Sequence, residues 1–288
     1  MATSQAVLPQ LAESRPAVAE DIRHPRKLDL GMLAGIAIAL GAAIAGIAAT
    51  NVGLGYFLQP AGAFIVLGGT LGVMLVTTPR RALFHSAQRV MALLWTPCLD
   101  HEALIVEIVS LAKAARRGGL LGIEPLIEQS SNAFLRDSLR LALDVKTRAE
   151  LQLALETELR LRERQGEADA RTLEVAGGFA PAIGILGTVV GLIDVLKQFS
   201  NIQSVGSGIG TAFVSTTYGL ALANLVLLPI AHRIRARLGE TADTQELIAE
   251  GVLCLFDGTH SSLVRERLHS FLRETPGRER AMSAGAGR

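Results

Sequence analysis

Hydroxyl side chains are concentrated in two apolar stretches of this sequence, where a polar group is costly unless it finds a partner or water. The first stretch contains Thr188, and the second contains Thr211, Ser215, Thr216, Thr217 and Tyr218. In a helix, each threonine or serine hydroxyl can bond back to the carbonyl one turn earlier, which is a purely structural role. The clustering in the second stretch favours another interpretation, in which the hydroxyls line a narrow polar path.

Two prolines lie in the same stretches, Pro181 in the first and Pro229 in the second. A proline inside a helix lacks a backbone donor and leaves the carbonyl one turn earlier without its usual partner. Two interpretations stay open: each proline simply kinks its helix, or it forms a hinge or a hydrated break in a polar path.

Carboxylates are nearly absent from the apolar stretches. Asp194 is the one acid well inside them, and Glu174 precedes the first hydroxyl-bearing stretch. Asp194 could pair with Lys197 on the surface or form an ion entrance. Because no other acid, histidine or lysine lies deep in these stretches, a chain that moved protons or cations would need an essential acid from another subunit.

The composition excludes several function classes. Of 288 residues, 49% are hydrophobic and 19% are charged, the formal net charge is +1 and the mean hydropathy is +0.36. These values are unlike those of a disordered chain or a basic nucleic-acid-binding domain. Cys98 and Cys254 lack metal or redox spacing. Nucleotide-binding, zinc-protease and hydrolase motifs are absent, so we predict no catalytic residue, cofactor or metal site and no nucleic acid.

Charge-free runs predict four membrane spans. The run from Leu30 to Thr78 is long enough for two helices of about 20 residues, with turn-forming residues between them. Two further runs surround a short polar segment. The predicted spans are Leu30–Ala49, Ala61–Thr78, Val175–Leu196 and Gly208–Ala231, and the predicted short loops are Asn51–Pro60 and Ser200–Ser207.

Lysine and arginine indicate the orientation. Basic residues precede the first span, follow the second and follow the fourth, whereas both short loops contain none. By the positive-inside rule, both termini and the long middle segment face the cytoplasm. We therefore expect a multi-pass membrane protein.

The segments outside the spans are predicted to be helical. Periodic apolar residues indicate helices over Asp100–Arg117, ending at Gly118–Gly119, and over Asn132–Gln165, ending at Gly166. Glu240–Leu272 contains one or two more, broken near Asp257–Gly258. The fold class is thus an all-α integral membrane protein: four transmembrane helices, a helical cytoplasmic domain between the second and third, and a helical cytoplasmic C-terminal segment.

These predictions divide the chain into six segments. They are a largely disordered cytoplasmic tail (1–27), spans one and two (28–79), a cytoplasmic helical domain (80–172), spans three and four (173–231), C-terminal cytoplasmic helices (232–275) and a disordered tail (276–288). Glycine pairs four residues apart, such as Gly187 with Gly191 and Gly68 with Gly72, predict close helix packing within or between subunits.

Four blocks of the sequence, in the same order, resemble the MotA/PomA flagellar stator proteins of the wider MotA/TolQ/ExbB proton channel family. The blocks are FLQPAGAFIVLGGTLGVMLVTTP (Phe57–Pro79), AKAARRGGLLGIEPL (Ala112–Leu126), APAIGILGTVVGLIDVL (Ala180–Leu196) and STTYGLALANLVLLPIA (Ser215–Ala231). The stretch EGVLCLFDG (Glu250–Gly258) resembles that family's C-terminal cytoplasmic segment. The resemblance extends from Leu28 to about Leu272.

The resemblance implies a homopentamer in the bacterial inner membrane, in contact with membrane lipid, around a dimer of a MotB-like partner. That partner has one span with a carboxylate facing the pore and a domain that binds peptidoglycan. Ion flow would turn the ring against the rotor protein FliG. A polar residue found in the first span of some sodium-type members has no counterpart here, which favours transported H⁺ over Na⁺.

The resemblance also implies site residues by motif position. Pro181 and Pro229 match the family's two prolines, and Thr188 and the pair Thr216–Thr217 match its pore-facing hydroxyls. Arg116 or Arg117, together with Glu124, matches the family's charged cytoplasmic residues that engage the rotor.

Other functions remain as alternatives. One is an ion-driven energiser of another envelope machine of the TolQ/ExbB type, whose members have one span before the cytoplasmic domain where this chain has two. Another is a passive membrane scaffold in which the threonines and prolines only pack. A membrane enzyme is the weakest alternative, since no nucleophile–base pair or metal constellation is visible.

Overall fold

The computed structural model describes residues 26–28, 30–49, 54–93, 95–97, 100–130, 132–197 and 202–274. The strands are β1 (Arg26–Leu28) and β2 (Trp95–Pro97). The helices are α1 (Leu30–Ala49), α2 (Pro60–Thr77), α3 (Arg80–Leu93), α4 (His101–Gly118), α5 (Glu124–Ile127), α6 (Ala133–Asp144), α7 (Arg148–Lys197), α8 (Ile202–Ala221), α9 (Leu228–Phe256) and α10 (Ser261–Glu274). The segments predicted to be disordered, apart from Arg26 and Lys27 in β1, lie outside the described residues.

The predicted fold class is confirmed: the described chain is mainly helical, with two three-residue strands, and four helices are long and apolar enough to cross a membrane. The first span coincides with α1. The second is α2, which contains a π-helical turn at Phe64–Gly68. The third is the C-terminal part of α7. The fourth runs from α8 through a π-helical turn at Leu222–Leu227 into α9.

Three local predictions are wrong. The helix expected over Asn132–Gln165 is two helices, because α6 ends at Asp144 and α7 begins at Arg148. Thr147 accepts a hydrogen bond from the Glu150 N–H (3.3 Å), and the Glu150 carboxylate accepts from the Lys146 N–H (3.3 Å). This reciprocal arrangement resembles a capping box and starts a new helix.

Helix α7 then continues through Gly166 instead of ending there. A Cβ at Gly166 would lie 2.1 Å from Leu238 Cδ2, so the glycine permits close packing with α9 and is not a helix stop. The predicted second loop is also mostly helical, because α8 already begins at Ile202. A Cβ at Gly208, the first residue of the predicted fourth span, would lie 2.6 Å from Val195 Cγ2, so this glycine also permits close packing.

The described residues form two compact units. One contains the described residues within 100–157 and 243–274, and its α4 packs against α10. As predicted, α4 ends at a glycine pair, where Gly119 has φ +76°, and the break between α9 and α10 contains Gly258 with φ +66°. The core of this unit includes Ile105, Ile108, Leu135, Leu139, Leu247, Ile248 and Leu268.

The other unit contains Arg26–Pro97 and Glu158–Ala242, and so carries all four spans. Strands β1 and β2 pair antiparallel, a three-residue ribbon too short to leave a periodic signal in the sequence. A buried cluster joins α3, α7 and α9 through Leu93, Ala170, Leu173, Ala231 and Ile234.

Candidate functional site

Helices α7 and α8 approach so closely that side chains larger than glycine do not fit at several contacts. A Cβ at Gly219 would lie 2.5 Å from the Ala180 carbonyl oxygen and 3.0 Å from Gly184 Cα. A Cβ at Gly184 would lie 3.0 Å from the Ser215 carbonyl oxygen. Small residues therefore bring the two backbones together, as the predicted glycine faces require. By contrast, Gly68 and Gly72 of α2 have open space beside them within the described chain.

The contact between α7 and α8 contains the hydroxyl pair Thr188–Thr216. The two hydroxyls are hydrogen-bonded to each other. Thr188 Oγ1 also lies 3.2 Å from the Gly184 carbonyl oxygen and 3.0 Å from that of Ala212. Each hydroxyl has one proton and can donate to only one acceptor at a time. The pair can thus exchange donor and acceptor roles while each hydroxyl keeps a partner.

Thr217 points elsewhere. Its hydroxyl donates to the Phe213 carbonyl (3.0 Å), and its side chain is exposed beside the exposed Phe213 ring. Adjacent residues of a helix differ by about 100° in direction. The structure therefore separates the predicted Thr216–Thr217 pair: Thr216 joins Thr188, and Thr217 lies on a surface open to another chain.

The two prolines lie elsewhere along the same two predicted spans as the hydroxyl pair. Pro181 is inside α7, and Pro229 follows the first residue of α9, just after the π-helical turn. Four residues before Pro181, a Cβ at Gly177 would lie 2.9 Å from Leu228 Cδ2. The turn interrupted by Pro181 therefore packs against the residue that precedes Pro229. Both interruptions occur where the same two helices meet.

A tyrosine tie joins α8 to the start of α2. The Tyr218 hydroxyl donates to the Phe57 carbonyl and accepts from the Gln59 N–H (3.3 Å). The Thr211 hydroxyl donates to Gln59 Oε1 (3.1 Å). Sequence reasoning noted Tyr218 and Thr211 but missed Gln59. The available signal was a polar side chain directly before Pro60 in a charge-free run.

Ser215 fills the space where three helices meet. Its side chain is fully buried, and its hydroxyl donates back to the Thr211 carbonyl (2.8 Å). A Cβ at Gly62 would lie 2.5 Å from Ser215 Oγ, and one at Gly187 would lie 2.8 Å from Ser215 Cβ. Ser215 therefore has the purely structural role, a hydrogen bond back to the carbonyl one turn earlier, that the sequence analysis gave as one of the two interpretations for these hydroxyls.

The sequence of this chain is similar to those of several known proteins. Residues 126–246 match the model of the MotA/TolQ/ExbB proton channel family. The chain is 27% identical to Motility protein A of Bacillus subtilis over 270 residues, which are 90% of this chain and 96% of that protein. It is 30% identical to Motility protein A of Treponema phagedenis over 251 residues, 87% of this chain and 95% of that relative. This chain belongs to the MotA/TolQ/ExbB proton channel family.

The fold of this family member is similar to that of a solved flagellar MotAB stator complex from Bacillus subtilis. The TM-score is 0.77 at 28% identity, and the match covers 88% of this chain and 98% of that chain. The four apolar helices of a MotA/TolQ/ExbB family member make this a multi-pass membrane protein.

Just outside the third and fourth spans of this family member, one arginine forms ion pairs with two carboxylates. Arg235 of α9 is ion-paired with Glu167 (Nε to Oε1, 2.9 Å) and with Glu174 (Nη2 to Oε2, 2.8 Å), both on α7. Hydrogen bonds from Arg235 are the main reason that the pKa of each carboxyl lies below its usual value of 4.5. The same bonds raise the pKa of Arg235. This clamp joins the extensions of the third and fourth spans.

Replacing Arg235 with glutamine is expected to weaken the clamp in a pH-dependent way. The depressed carboxyl pKa values contribute stability above 4.5, which is lost as the pH falls through the lower folded-state values. The variant should therefore have a lower thermal midpoint than the parent at neutral pH, and the difference should shrink on acidification. Thermal unfolding in detergent measures this, with the same change at an exposed arginine of α10, Arg265→Gln, as control. A difference that is the same at every pH would contradict the clamp.

Two further polar ties involve α3. The Asp169 carboxylate of α7 accepts from the Ser86 hydroxyl (3.2 Å) and is paired with Arg89 Nε (3.1 Å). Burial raises the pKa of Asp169, and the Arg89 charge opposes that rise. Arg237 of α9 donates to the carbonyl oxygens of Trp95 (2.9 Å) and Leu93 (3.3 Å), at the C-terminal end of α3.

The remaining predicted site residues are exposed. Arg116 and Arg117 lie in the last turn of α4 and Glu124 begins α5, so all three flank one turn of the first unit. Within the described chain, none of these three side chains forms an ion pair. Asp194 is exposed in the last turn of α7, next to its end at Lys197.

Proposed function

We propose that this chain is an ion-conducting stator subunit of a bacterial flagellar motor, which couples ion flow to torque together with a MotB-like partner. The observation that carries the proposal is the Thr188–Thr216 hydroxyl pair, held between the predicted third span, which contains Pro181, and the predicted fourth span, which contains Pro229. The relatives named Motility protein A and the similar MotAB stator structure support it. A proton channel family supports ion transport and gives no reason to expect an enzyme.

The essential acid comes from the partner. Apart from Asp194 near the end of α7, the predicted spans contain no carboxylate that could exchange protons with the hydroxyl pair. The exposed surface around Thr217 and Phe213 is apolar with one hydroxyl, which suits a single partner span carrying a carboxylate. A dimer of such chains, fixed to peptidoglycan, would stand inside a homopentamer of this subunit.

The proposed ion is H⁺. Hydroxyl groups can relay a proton by exchanging donor and acceptor roles, as Thr188 and Thr216 are placed to do. The first span offers no carboxylate or amide to coordinate Na⁺. Swimming should therefore persist in sodium-free medium and stop when a protonophore is added. Dependence on sodium would overturn the assignment of the ion but not of the motor.

Movement would begin at the prolines and end at charges on the cytoplasmic side. Protonation of the partner's acid changes its contact with α7 and α8, and the turns at Pro181 and Pro229 can bend because each lacks one helical hydrogen bond. Arg116, Arg117 and Glu124 are exposed charges that can engage FliG by charge pairing. The basic residues outside the spans would place both termini in the cytoplasm.

Reversing Glu124 to lysine is expected to weaken rotor coupling and leave ion conduction unchanged. At a charge-paired contact the reversal places like charges opposite each other, which costs several kcal/mol. Tethered-cell rotation and proton leak, measured in the same strains, test this. The exposed Glu266→Lys in α10 is the matched control. Full motility of Glu124→Lys would remove this residue from the rotor contact.

The proposal as a whole is tested in an in-frame deletion strain. We expect cells that carry normal flagella by electron microscopy but do not swim, and that recover when the gene is restored. Missing flagella, or normal swimming in a strain without a second stator gene, would contradict a stator function. If swimming is normal, proton leak on co-expression with a carboxylate-bearing partner separates an energiser of another envelope machine from a passive scaffold.

A further inference from the structure

Helix α3 has two apolar faces, and only one of them is used within the chain. The inner face packs Val90 and Leu93 against the buried cluster of α7 and α9. The outer face presents Phe84 and Met91, which are 65% and 64% exposed, and Trp95 follows at 46%. An exposed apolar stripe of this kind marks a surface that something covers.

The beginning of α3 is attached to the membrane boundary. Helix α2, the second span, ends at Thr77, and α3 begins at Arg80 after a break at Thr78, where the backbone is extended. The chain thus leaves the span and starts a separate helix within three residues. The first turn of α3 therefore lies at the level where the second span ends.

The far end of α3 lies at the same level. Leu93 is in one cluster with Ala231, the last residue of the predicted fourth span, and with Leu173, two residues before the third. Strand β2 pairs Trp95 with Leu28, two residues before α1 begins. Since both ends of this 14-residue helix lie beside span ends, its length of about 20 Å runs along the membrane boundary.

The charges on this segment match an anionic surface. Arg80 and Arg81 are exposed in the first turn, His85 is exposed one turn later, and Arg89 is already paired with Asp169 on the inner side. The sequence from Arg80 to Pro97 contains no acidic residue. Basic residues beside apolar and tryptophan side chains are typical of helices that lie in the interface of a membrane with anionic lipids.

We propose that the outer face of α3, together with Trp95, binds the anionic phospholipid surface on the cytoplasmic side of the membrane. Phe84, Met91 and Trp95 enter the boundary between headgroups and acyl chains, and Arg80 and Arg81 contact lipid phosphates. The proposal needs the membrane spans and the positive-inside orientation but not the motor function, so it stands or falls separately from the stator proposal. A second copy of the chain is the alternative cover for this face.

The chain contains one tryptophan, so Trp95 reports directly on this surface. The full chain, co-purified with its partner, is reconstituted into vesicles of brominated phosphatidylglycerol or brominated phosphatidylcholine. A Trp95→Phe preparation provides the blank for partner fluorescence. We expect strong quenching by brominated acyl chains, weak quenching by aqueous acrylamide, and a preference for the anionic lipid.

Charge removal tests the anionic part of the proposal. The Arg80→Gln and Arg81→Gln changes should each reduce the lipid preference about fivefold, since a basic side chain near an anionic leaflet contributes about 1 kcal/mol. The control pair Arg265→Gln and Arg273→Gln, at exposed arginines of α10, should leave the preference unchanged. Strong quenching by acrylamide would overturn the proposal. Protection of Trp95 from both quenchers, which a second copy covering this face would give, would also overturn it. So would a lipid preference that does not depend on Arg80 and Arg81.

Discussion

Cells that carry Pro181→Ala are expected to lose motor rotation while the stator complex still assembles. Alanine supplies the missing N–H to the Gly177 carbonyl and removes a residue that costs about 3 kcal/mol in a helix interior. The change therefore stiffens the turn that packs on Leu228 without removing a side-chain contact of the hydroxyl pair. Swimming in soft agar and co-purification of the partner measure the two parts of the prediction.

Pro60→Ala is the matched control. Pro60 occupies the first turn of α2, where the missing N–H has no helical acceptor, so its replacement should preserve rotation. Normal rotation of Pro181→Ala would mean that the helix merely tolerates this proline. Loss of the assembled complex would mean that the proline is needed for packing and not for movement.

Replacing Gly219 with valine is expected to prevent folding of the membrane unit. The added Cβ would lie 2.5 Å from the Ala180 carbonyl oxygen, and a backbone atom cannot rotate away as a side chain can. Overpacking commonly costs about 1–3 kcal/mol, and a clash between two backbones belongs at or above the upper end of that range. Helices α7 and α8 would have to separate, which would also break the hydrogen bond between Thr188 and Thr216.

The yield of monodisperse protein in detergent and its thermal midpoint, followed by Trp95 fluorescence, measure this effect. Gly210→Val is a close control, because it makes the same change in the same helix at a glycine with nothing within 4 Å of the added Cβ. If both variants are equally stable, the close approach of the two backbones is not essential to the fold.

Membrane spans were predictable because charge is excluded from the hydrocarbon over whole helices, so the signal extends across many residues. The structural roles of single glycines were not predictable. Gly119 ends a helix and has a positive φ, whereas Gly166 lies inside α7 against Leu238. Both glycines follow periodic apolar residues in the sequence. The difference depends on a neighbour more than 70 residues away, which a local pattern does not contain.

The site residues were only partly predictable, because their contacts also depend on residues that are distant in the sequence. Thr216 and Thr217 are chemically equivalent, and only the packing of α8 on Gly184 decides which of them meets Thr188. The tie between Tyr218 and Gln59 joins residues far apart in the chain. The capping arrangement between residues 147 and 150 was readable from spacing alone, and the leucine periodicity on both sides of it obscured the break.

The three polar ties below the spans connect three different pairs: α3 with α7, α7 with α9, and α9 with the end of α3. A closed triangle of this kind resists shear, because no side can slide without breaking a charged or backbone contact. With only two of these ties, one of the three helices could slide relative to another. On the proposed mechanism, bending would therefore be confined to the turns at Pro181 and Pro229, and the segment joined by the three ties would move as one rigid unit.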